Sequence, residues 1–404
     1  MDILVTGTGG ARGWPEPDCR CASCLSAAAD VGEMARTRST IIVEGVLRLG
    51  TVDEVGAGAG AVAGDGAVAA VGEARAVGGL RVVGLADAGG GAAGEPRGGE
   101  SEATLGGWEV TGPDGARLLY PARPGAVPVP PEGARPYDVA FLDVLGDPFQ
   151  LGGLRARGLV TGDTTVLAAV ADHRVRSEAE LRRRCAMWGV GVPGDGARVT
   201  PCRYAKKGVY RVLVLGGARS GKSERAELRV AAEPDVTYVA TGPSGDGDRD
   251  WAARVAAHKR RRPSWWRTVE TTDLAGVLAD ASGGTLLIDG IGTWLAAVLD
   301  EAGWDEDGLD TRGLDTGGLD TGGLDTGGLD AAKLTGRVAE LVAAWRQTSA
   351  HVVAVSDETG LGVIPQTPAG RVFRDWLGRV NQALAAESEE AELVVAGRVL
   401  SLEG

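Results

Sequence analysis

The chain has 404 residues, of which 44% are hydrophobic, 24% charged and only 4% aromatic, and it contains 65 glycines. The length favours two domains, and the formal net charge of −13 argues against broad binding to nucleic acid, which requires a basic face. The N-terminus lacks the basic and apolar segments of a secretory signal, and no apolar run approaches the roughly 18 residues of a membrane span, so the sequence predicts a cytoplasmic protein.

The first half of the chain predicts strands separated by glycine-rich segments. Residues 1–10 read as a short apolar strand that enters a glycine turn. Later apolar runs predict strands at Ile41–Val46, Leu80–Leu85, Arg117–Tyr120, Asp138–Leu145 and Thr165–Ala171, and a helix at Glu178–Trp188. Residues 56–107 are low-complexity Ala, Gly and Val with few large side chains, so we expect only the strand at Leu80–Leu85 there. The basic segment Arg203–Gly208 predicts a linker after a first domain of residues 1–205.

Three of the five cysteines, Cys19, Cys21 and Cys24, lie within six residues of one another. The odd total and the tight spacing favour a reduced compartment and a metal over a disulfide framework. Three thiolates need one more ligand for a tetrahedral structural Zn²⁺ site. The candidates for this ligand are His173, which we favour, Cys185 and Cys202. The alternative is a loop that carries three unliganded thiols.

The second half, residues 211–404, alternates strands with helices. Its predicted strands are Arg211–Leu215, Thr237–Ala240, Thr285–Asp289 and His351–Ser356, and its predicted helices are Glu224–Val230, Asp248–His258 and Lys333–Trp345. Apolar strands without period-two alternation, separated by helices, indicate a mostly parallel sheet covered by helices on both faces.

Residues 308–330 repeat the unit GLDTG and interrupt this pattern. The composition predicts a flexible glycine-rich insertion. A calcium site built from the regularly spaced aspartates is the alternative, but the nonapeptide spacing of calcium-binding β-rolls is absent.

The segment that follows the strand at Arg211–Leu215 satisfies the Walker A pattern. It consists of Gly216, Gly217, Ala218, Arg219, Ser220, Gly221, Lys222 and Ser223. Glycines let the backbone N–H groups point at phosphate oxygens. Lys222 is then expected to reach the β- and γ-phosphates of a nucleotide, and the Ser223 hydroxyl to ligate Mg²⁺. Asp289, at the end of an apolar strand, is the expected second magnesium ligand.

A basic cluster begins at His258, one of only three histidines in the chain. Lys259, Arg260, Arg261 and Arg262 follow it directly. Neighbouring cations disfavour protonation of the imidazole and leave a neutral nitrogen able to attack phosphorus. The same cations can neutralise a triphosphate or a departing pyrophosphate. A solvated helix end is the simpler interpretation of such a run taken alone.

The combined motifs resemble the bifunctional adenosylcobinamide kinase and adenosylcobinamide-phosphate guanylyltransferase family. The matching segments are GGARSGKS at 216–223, YVAT at 238–241, ARVAAHKRRRPSWWRTVE at 253–270, LLIDGIGTWL at 286–295 and VVAVSDETGLGVIPQTPAGRVFRDWLGRVNQALA at 352–385. They occur in the family's order and cover nearly all of residues 211–404 outside the GLDTG insertion. Many enzymes share a P-loop, whereas the HKRRRP stretch of the third segment and the GLGVIP…GRVFRDWLGRVNQ stretch of the last are far more specific.

The resemblance implies an α/β fold of the P-loop NTPase (RecA-like) type and two reactions. First, the hydroxyl of the aminopropanol arm of adenosylcobinamide takes the γ-phosphate of ATP or GTP. Second, a histidine, matched here by His258, attacks the α-phosphorus of GTP and passes GMP to cobinamide phosphate. The residues expected by this match to line the guanylyl site are Ala240, Thr241, Lys259, Arg260, Arg261, Arg262 and Glu270. The resemblance also implies a homo-oligomer, a trimer with sites at subunit boundaries.

The sequence departs from the family's pattern at three places. Asp357 stands where the family commonly has Asn, Gly290-Ile291 where it has Cys-Leu, and residues 242–249 are glycine-rich where acidic residues are usual. The first two touch the nucleotide side and put turnover or magnesium binding in doubt. Lys222, Asp289 and His258 are all present, so we expect an active enzyme.

The start of the chain, residues 7–17 followed by CRCASC, resembles the metallo-β-lactamase-like hydrolases, closest to phosphodiesterase-type members with extra N-terminal cysteines. Residues 138–145 and 165–173 resemble the closing strands of that αββα fold. These hydrolases hold metals with an HxHxDH motif, but no histidine precedes His173. Losing the ligands removes the metal-bound hydroxide. We therefore expect residues 1–205 to be a degenerate, catalytically inactive domain, eroded around 56–107.

Two other functions fit parts of the sequence. One is a P-loop kinase of another small hydroxylated metabolite that has lost the guanylyl reaction. The other is a binding protein whose P-loop only senses nucleotide and whose first domain scaffolds partners. The retained Lys222, Asp289 and His258 argue against the second of these.

Overall fold

The computed structural model describes residues 1–29, 35–51, 61–63, 66–67, 69–88, 104–199, 209–242, 256, 259–303 and 330–402. Several predictions fall outside these residues, namely the linker at 203–208, Cys202, most of the helix at 248–258 with His258, and residues 308–329 of the repeat. The chain divides into two compact units, Met1–Lys206 with Ala231–Pro234, and Lys207–Val230 with Asp235–Gly404. No helix in the described part of the chain is long and apolar enough to cross a bilayer.

The first unit contains two sheets and three described helices. Its elements are β1 (Ile3–Gly7), α1 (Ala22–Ala29), β2 (Thr40–Val43), β3 (Leu47–Gly50), β4 (Ala61–Ala63), β5 (Gly66–Ala67), β6 (Ala74–Val77), β7 (Leu80–Ala86), β8 (Leu105–Thr111), β9 (Arg117–Pro121), β10 (Val139–Leu142), α2 (Phe149–Ala156), β11 (Thr165–Ala168) and α3 (Glu178–Met187). One sheet has the order β1-β2-β3-β4-β5 and is antiparallel. The other has the order β11-β10-β9-β8-β7-β6, parallel from β9 to β11 and antiparallel elsewhere.

Both sheets contribute to one hydrophobic core. Val5 and Leu49 come from the first sheet, and Trp108, Leu118 and Phe141 from the second, and each is at most 1% exposed. Face-to-face packing of two sheets buries one face of each. The expected resemblance of this unit to the metallo-β-lactamase-like hydrolases stays a prediction.

The expectation of a single strand within residues 56–107 is wrong. Strands β4, β5, β6 and β7 all lie in this stretch, and β8 begins there. Pairing of β6 with β7 and of β7 with β8 needs only backbone N–H and C=O groups, which Ala, Gly and Val supply as well as larger residues do. Leu80 and Val82 of this stretch are buried in the core, as is Trp108 directly after it.

The second unit is a three-layer α/β structure around one sheet. Its elements are β12 (Tyr210–Gly216), α4 (Lys222–Val230), β13 (Val236–Ala240), β14 (Arg267–Glu270), α5 (Leu274–Asp280), β15 (Thr285–Asp289), α6 (Ile291–Glu301), α7 (Ala331–Gln347), β16 (His351–Asp357), α8 (Pro368–Ala386), β17 (Glu390–Val395) and β18 (Arg398–Leu402). The sheet order is β14-β13-β15-β16-β12-β17-β18, and only the β17–β18 pair is antiparallel.

Strand β12 is buried on both faces of this sheet. Its consecutive residues Val212, Leu213 and Val214 are each 0% exposed, and neighbouring residues in a strand point to opposite faces. Leu213 packs in a core with residues of α5 to α8, such as Trp294 and Trp345. The predicted mostly parallel sheet of this unit is therefore confirmed.

Parallel pairing sets which strand ends meet. Gly216 of β12 pairs with Asp357 of β16, and Ala240 of β13 pairs with Asp289 of β15 and with Glu270 of β14. The carboxyl ends of these strands therefore lie along one edge of the sheet. In open parallel sheets this edge is where ligands bind.

A buried ion cluster connects α4 to β17. Glu392 accepts hydrogen bonds from Arg225 at 2.7 Å and from Arg229 at 2.8 Å, and its side chain is 7% exposed. Arg229 also pairs with Glu390. Burial alone would raise the pKa of Glu392, but hydrogen bonds and attraction from Arg225 and Arg229 outweigh it and hold that pKa below 4.5.

Replacing Glu392 with Ala should destabilise the protein by about 3 kcal/mol, because it leaves a buried guanidinium short of a counterion. Urea unfolding at pH 7 measures this loss. A group with a lowered folded pKa stabilises the protein fully above its unfolded pKa of 4.5, so the difference from wild type should vanish as the pH falls through the lower folded value. Glu387→Gln, which breaks a solvent-exposed pair with Arg346, is the control and should leave the urea midpoint unchanged. Equal midpoints for wild type and Glu392→Ala would rule out a stabilising role for the cluster.

Candidate functional site

The Walker A segment forms a loop between β12 and α4, whose first residue is Lys222. Two glycines fix its shape. Gly221 has φ 96°, a backbone conformation that side chains disfavour. A Cβ on Gly216 would lie 2.4 Å from Ser220 Oγ and 2.8 Å from Val394 O, so this position has no room for a side chain.

Lys222 is held from two sides. Its Nζ donates to Gly217 O at 3.2 Å and forms an ion pair with Asp357 Oδ1 at 2.9 Å. The side chain of Lys222 is 14% exposed and that of Asp357 is 42% exposed. Asp357 thus contacts the residue expected to bind the β- and γ-phosphates.

Asp289 joins the P-loop helix to the neighbouring strand β13. Its Oδ1 accepts from Ser223 Oγ at 3.4 Å, and its Oδ2 accepts from the hydroxyl of Tyr238. Burial and the adjacent Asp289 carboxylate raise the pKa of Tyr238, so this phenol stays protonated and donates. The two expected magnesium ligands, Ser223 and Asp289, therefore lie within contact distance of each other. The hydroxyl of Tyr238 orients the Asp289 carboxylate.

The basic cluster folds back over the same strand. The guanidinium of Arg262 lies 3.2 Å from the ring centroid of Tyr238. Arg261 pairs with Glu227 of α4 at 3.1 Å. A cation over an aromatic ring and an ion pair to a buried carboxylate bring this segment to the P-loop.

Lys259 anchors the start of the described part of the cluster. Its Nζ lies 3.2 Å from Glu270 Oε1, and both side chains are more than half exposed. An exposed pair of this kind contributes little stability. It does place the residue that directly follows His258 beside Glu270 at the sheet edge.

These groups line one cavity of about 580 Å³. Those named from the sequence are Ala218, Arg219, Ser220, Gly221, Lys222, Ser223, Ala240, Lys259, Arg261, Arg262, Glu270 and Asp289. The others are Glu224, Tyr238, Gly242, Gly290, Thr293, Val355 and Asp357. A volume of several hundred Å³ with convergent charges suits a nucleotide-sized ligand.

Four expected residues do not line this cavity. Gly216 and Gly217 form the strand end and the start of the loop. Thr241 is 4% exposed and bonds Gly290 O at 2.5 Å and Thr293 at 2.6 Å, so it holds the turn before α6. Arg260 is exposed. His258 lies outside the described residues, so its place at this cavity stays a prediction.

Sequence patterns alone predicted no site role for Tyr238 and no contact for Asp357. Tyr238 was visible as the first residue of the YVAT segment, but its pairing with Asp289 depends on β13 lying beside β15. Asp357 ends β16, which lies between β12 and β15. A polar residue at the end of an apolar strand was the available signal.

In the first unit, the candidate zinc ligands come together. The ligand atoms of Cys19, Cys24 and His173 lie within 4.8 Å of one another. Cys21 is adjacent, since its Sγ accepts from Cys24 N at 3.4 Å. Glu16 Oε2 lies 3.2 Å from His173 Nδ1. The alternative ligand Cys185, 0% exposed on α3, is absent from this group.

A second polar cluster of the first unit pairs one guanidinium with two carboxylates. Arg174 donates to Asp143 at 2.9 Å and pairs with Asp172 at 2.8 Å. Asp143 is 1% exposed and also accepts from Gly125 N at 2.8 Å. Burial alone would lower the pKa of Arg174, but attraction to the two carboxylates outweighs it and raises that pKa. The guanidinium thus offsets part of the negative charge of the two carboxylates.

Comparison with known proteins bears on the second unit. Residues 212–402 match the family model for cobinamide kinase / cobinamide phosphate guanyltransferase. The bifunctional adenosylcobalamin biosynthesis protein CobU of Escherichia coli (strain K12) is 35% identical over 189 residues, which cover 46% of this chain and 96% of that protein. The chain belongs to this family. The family is one of enzymes, so the cobinamide kinase and guanylyltransferase expectation of the sequence is confirmed at that level.

Two further relatives agree with this assignment. The CobU protein of Salmonella typhimurium is 36% identical over 189 residues, 46% of this chain and 96% of that protein. The CobP protein of Pseudomonas aeruginosa is 35% identical over 199 residues, 48% of this chain and 98% of that protein. The cobinamide kinase family match begins at residue 212, so it covers most of β12, the P-loop and every residue that lines the cavity.

Replacing Tyr238 with Phe should raise the Mg²⁺ concentration that supports half-maximal nucleotide turnover by about tenfold, because Asp289 loses the donor that orients it. The ring that Arg262 covers is kept, so the fold should be unaffected. A magnesium titration at fixed nucleotide measures the change. The control is Tyr210→Phe, which removes a hydroxyl bonded to Glu390. Tyr210 is at the end of β12 away from the P-loop. Identical magnesium curves for Tyr238→Phe and wild type would contradict this role.

Proposed function

We propose that the second unit phosphorylates adenosylcobinamide with ATP or GTP and then transfers GMP from GTP to the product. One observation carries the proposal: the P-loop residues Lys222 and Ser223 and the cations Lys259, Arg261 and Arg262 line the same cavity. A nucleoside triphosphate placed there would find cations on both sides of the cavity to bind its phosphates. Family membership supplies the acceptor class, a cobinamide and its phosphate.

In the first reaction, the hydroxyl oxygen of the cobinamide arm forms a bond to the γ-phosphorus. The bond between that phosphorus and the β,γ-bridging oxygen breaks, the nucleoside diphosphate leaves, and the hydroxyl proton passes to solvent. Lys222 neutralises the charge on the β- and γ-phosphates through this displacement. Ser223 and Asp289 are the residues that would hold Mg²⁺, which stabilises the charge that develops on the transferred group.

In the second reaction, a nitrogen of His258 forms a bond to the α-phosphorus of GTP and pyrophosphate leaves. An oxygen of cobinamide phosphate then attacks the same phosphorus, the P–N bond breaks, and GDP-cobinamide forms. The support for His258 is its position in the chain. Lys259, the next residue, lines the cavity and pairs with Glu270 at its rim. Arg261 and Arg262, which line the same cavity, would bind the departing pyrophosphate.

Two further expectations accompany this function. Assembly as a homotrimer is implied by the resemblance and stays a prediction, as does location in the cytoplasm. The kinase-only and nucleotide-sensor alternatives predict, respectively, phosphorylation without a GMP adduct, and GTP binding without turnover of cobinamide.

Incubation with α-labelled GTP should give a labelled protein whose adduct is acid-labile and alkali-stable, as expected for a phosphoramidate. His258→Ala should lose the label. His351→Gln should keep it, because His351 lies at the end of β16 opposite to Asp357 and the cavity. Mass spectrometry of the reaction with cobinamide and GTP should show the phosphorylated and the GDP-linked products. Label that survives His258→Ala would eliminate the histidine assignment, and cobinamide left unchanged by wild type would eliminate the proposed function.

For the first unit, we propose that Cys19, Cys21, Cys24 and His173 bind one structural Zn²⁺. The support is the approach of three ligand atoms to within 4.8 Å, with Cys21 beside them. Thiolates and imidazole are the usual ligands of tetrahedral zinc. Glu16 lies where a carboxylate orients a histidine ligand.

The purified protein should contain about one zinc per chain, measured by inductively coupled plasma mass spectrometry. Cys24→Ser should lose most of this metal, because three ligands bind zinc much more weakly than four. Cys185→Ser, which changes a buried cysteine outside the group, should retain it. Equal zinc contents in the two variants would reject the site.

A further inference from the structure

The ion pair between Lys222 and Asp357 occupies the one lysine of the Walker A loop. The Nζ to Oδ1 distance is 2.9 Å, and Asp357 lines the same cavity as the loop. A P-loop lysine binds phosphate oxygens through this same ammonium group. Phosphates and the Asp357 carboxylate therefore compete for one cation.

The position of Asp357 is fixed by the fold. It pairs in register with Gly216, directly before the loop, and the next residue, Glu358, donates its N–H to Gly216 O at 3.1 Å. A Cβ on Gly292, near the start of α6, would lie 2.8 Å from Asp357 Oδ2. The carboxylate thus lies in a slot between the P-loop and α6, with one oxygen toward each.

The charges around the cavity determine how much the Lys222–Asp357 pair affects phosphate binding. Five basic and four acidic side chains line it, so the excess of positive charge available to phosphate is small. Lys259 is paired with Glu270, and Arg261 with Glu227. Removing the Asp357 charge would release Lys222 and leave the cavity more positive.

We propose that Asp357 sets the nucleotide affinity of this site as an intramolecular competitor for Lys222. The inference rests on the nucleotide site of the proposed function, although it needs no corrinoid. It has a specific consequence for the ligand. Nucleotides whose β- or γ-phosphate reaches Lys222 must displace Asp357, whereas a nucleoside monophosphate, whose phosphate stops short of Lys222, need not. Asp357 therefore lowers affinity for GTP selectively relative to GMP.

Isothermal titration of the full chain with GMP and with Mg-GTP, supplied as its α,β-methylene analogue so that no GMP adduct can form, tests this. Asp357→Asn should lower the Kd for GTP by about three- to fivefold, in line with the size of a partly exposed ion pair, and leave the Kd for GMP within about twofold. Glu358→Gln removes the neighbouring carboxylate without touching Lys222 and should leave both constants within about twofold. Asp357→Ser should reproduce the gain for GTP. A gain in affinity cannot arise from misfolding.

A double-mutant cycle shows whether the effect passes through Lys222. In a Lys222→Ala background, Asp357→Asn should no longer tighten GTP binding by more than about twofold. The proposal is overturned if Asp357→Asn leaves GTP binding unchanged or weaker, if GMP gains as much as GTP, or if the gain persists without Lys222. Wild-type protein that fails to convert cobinamide would overturn the proposed function alone, because these titrations contain no acceptor.

Discussion

The parallel register of β12 with its neighbours is the constraint on which the candidate site depends. Because Gly216 pairs with Asp357, and Ala240 pairs with both Asp289 and Glu270, the ends of five strands meet at one edge of the sheet. A shift of one residue in any of these strands would turn its terminal side chain to the other face. The register is held by a core in which Val212, Val353 and Ile288 are each 0% exposed. Burial of apolar strands on both faces thereby positions the charged groups.

The polar groups at that edge form a connected chain rather than separate contacts. Ser223 contacts Asp289, Asp289 accepts from Tyr238, and the ring of Tyr238 lies under Arg262. In a partly buried setting each of these interactions is stronger than in water, and each orients the next. The phosphate loop and the basic cluster are thus physically linked.

The first unit is stabilised in a different way. Its core comes from two facing sheets, and its buried charges are matched internally, as in the pairing of Asp143 with Arg174. The cysteine cluster lies in short segments near Trp14, whose ring is 1% exposed and whose Nε1 donates to Ser23 at 3.0 Å. These contacts stabilise the local structure of the first unit.

Local patterns in the sequence determined the elements around the P-loop, since strand β12, helix α4 and the aspartate that ends β15 follow from apolar runs and glycine spacing. The family resemblance named most of the cavity's cations. Sequence patterns missed the short strands β4 to β6, because pairing of Ala and Gly leaves no side-chain signature. They missed α6 and α8 as well. Only the tertiary structure decided that β16 lies between β12 and β15, so that Asp357 meets Lys222 and Tyr238 meets Asp289. Strand order is set by long-range packing of buried faces, and nothing in the local sequence encodes which buried strand will lie beside which.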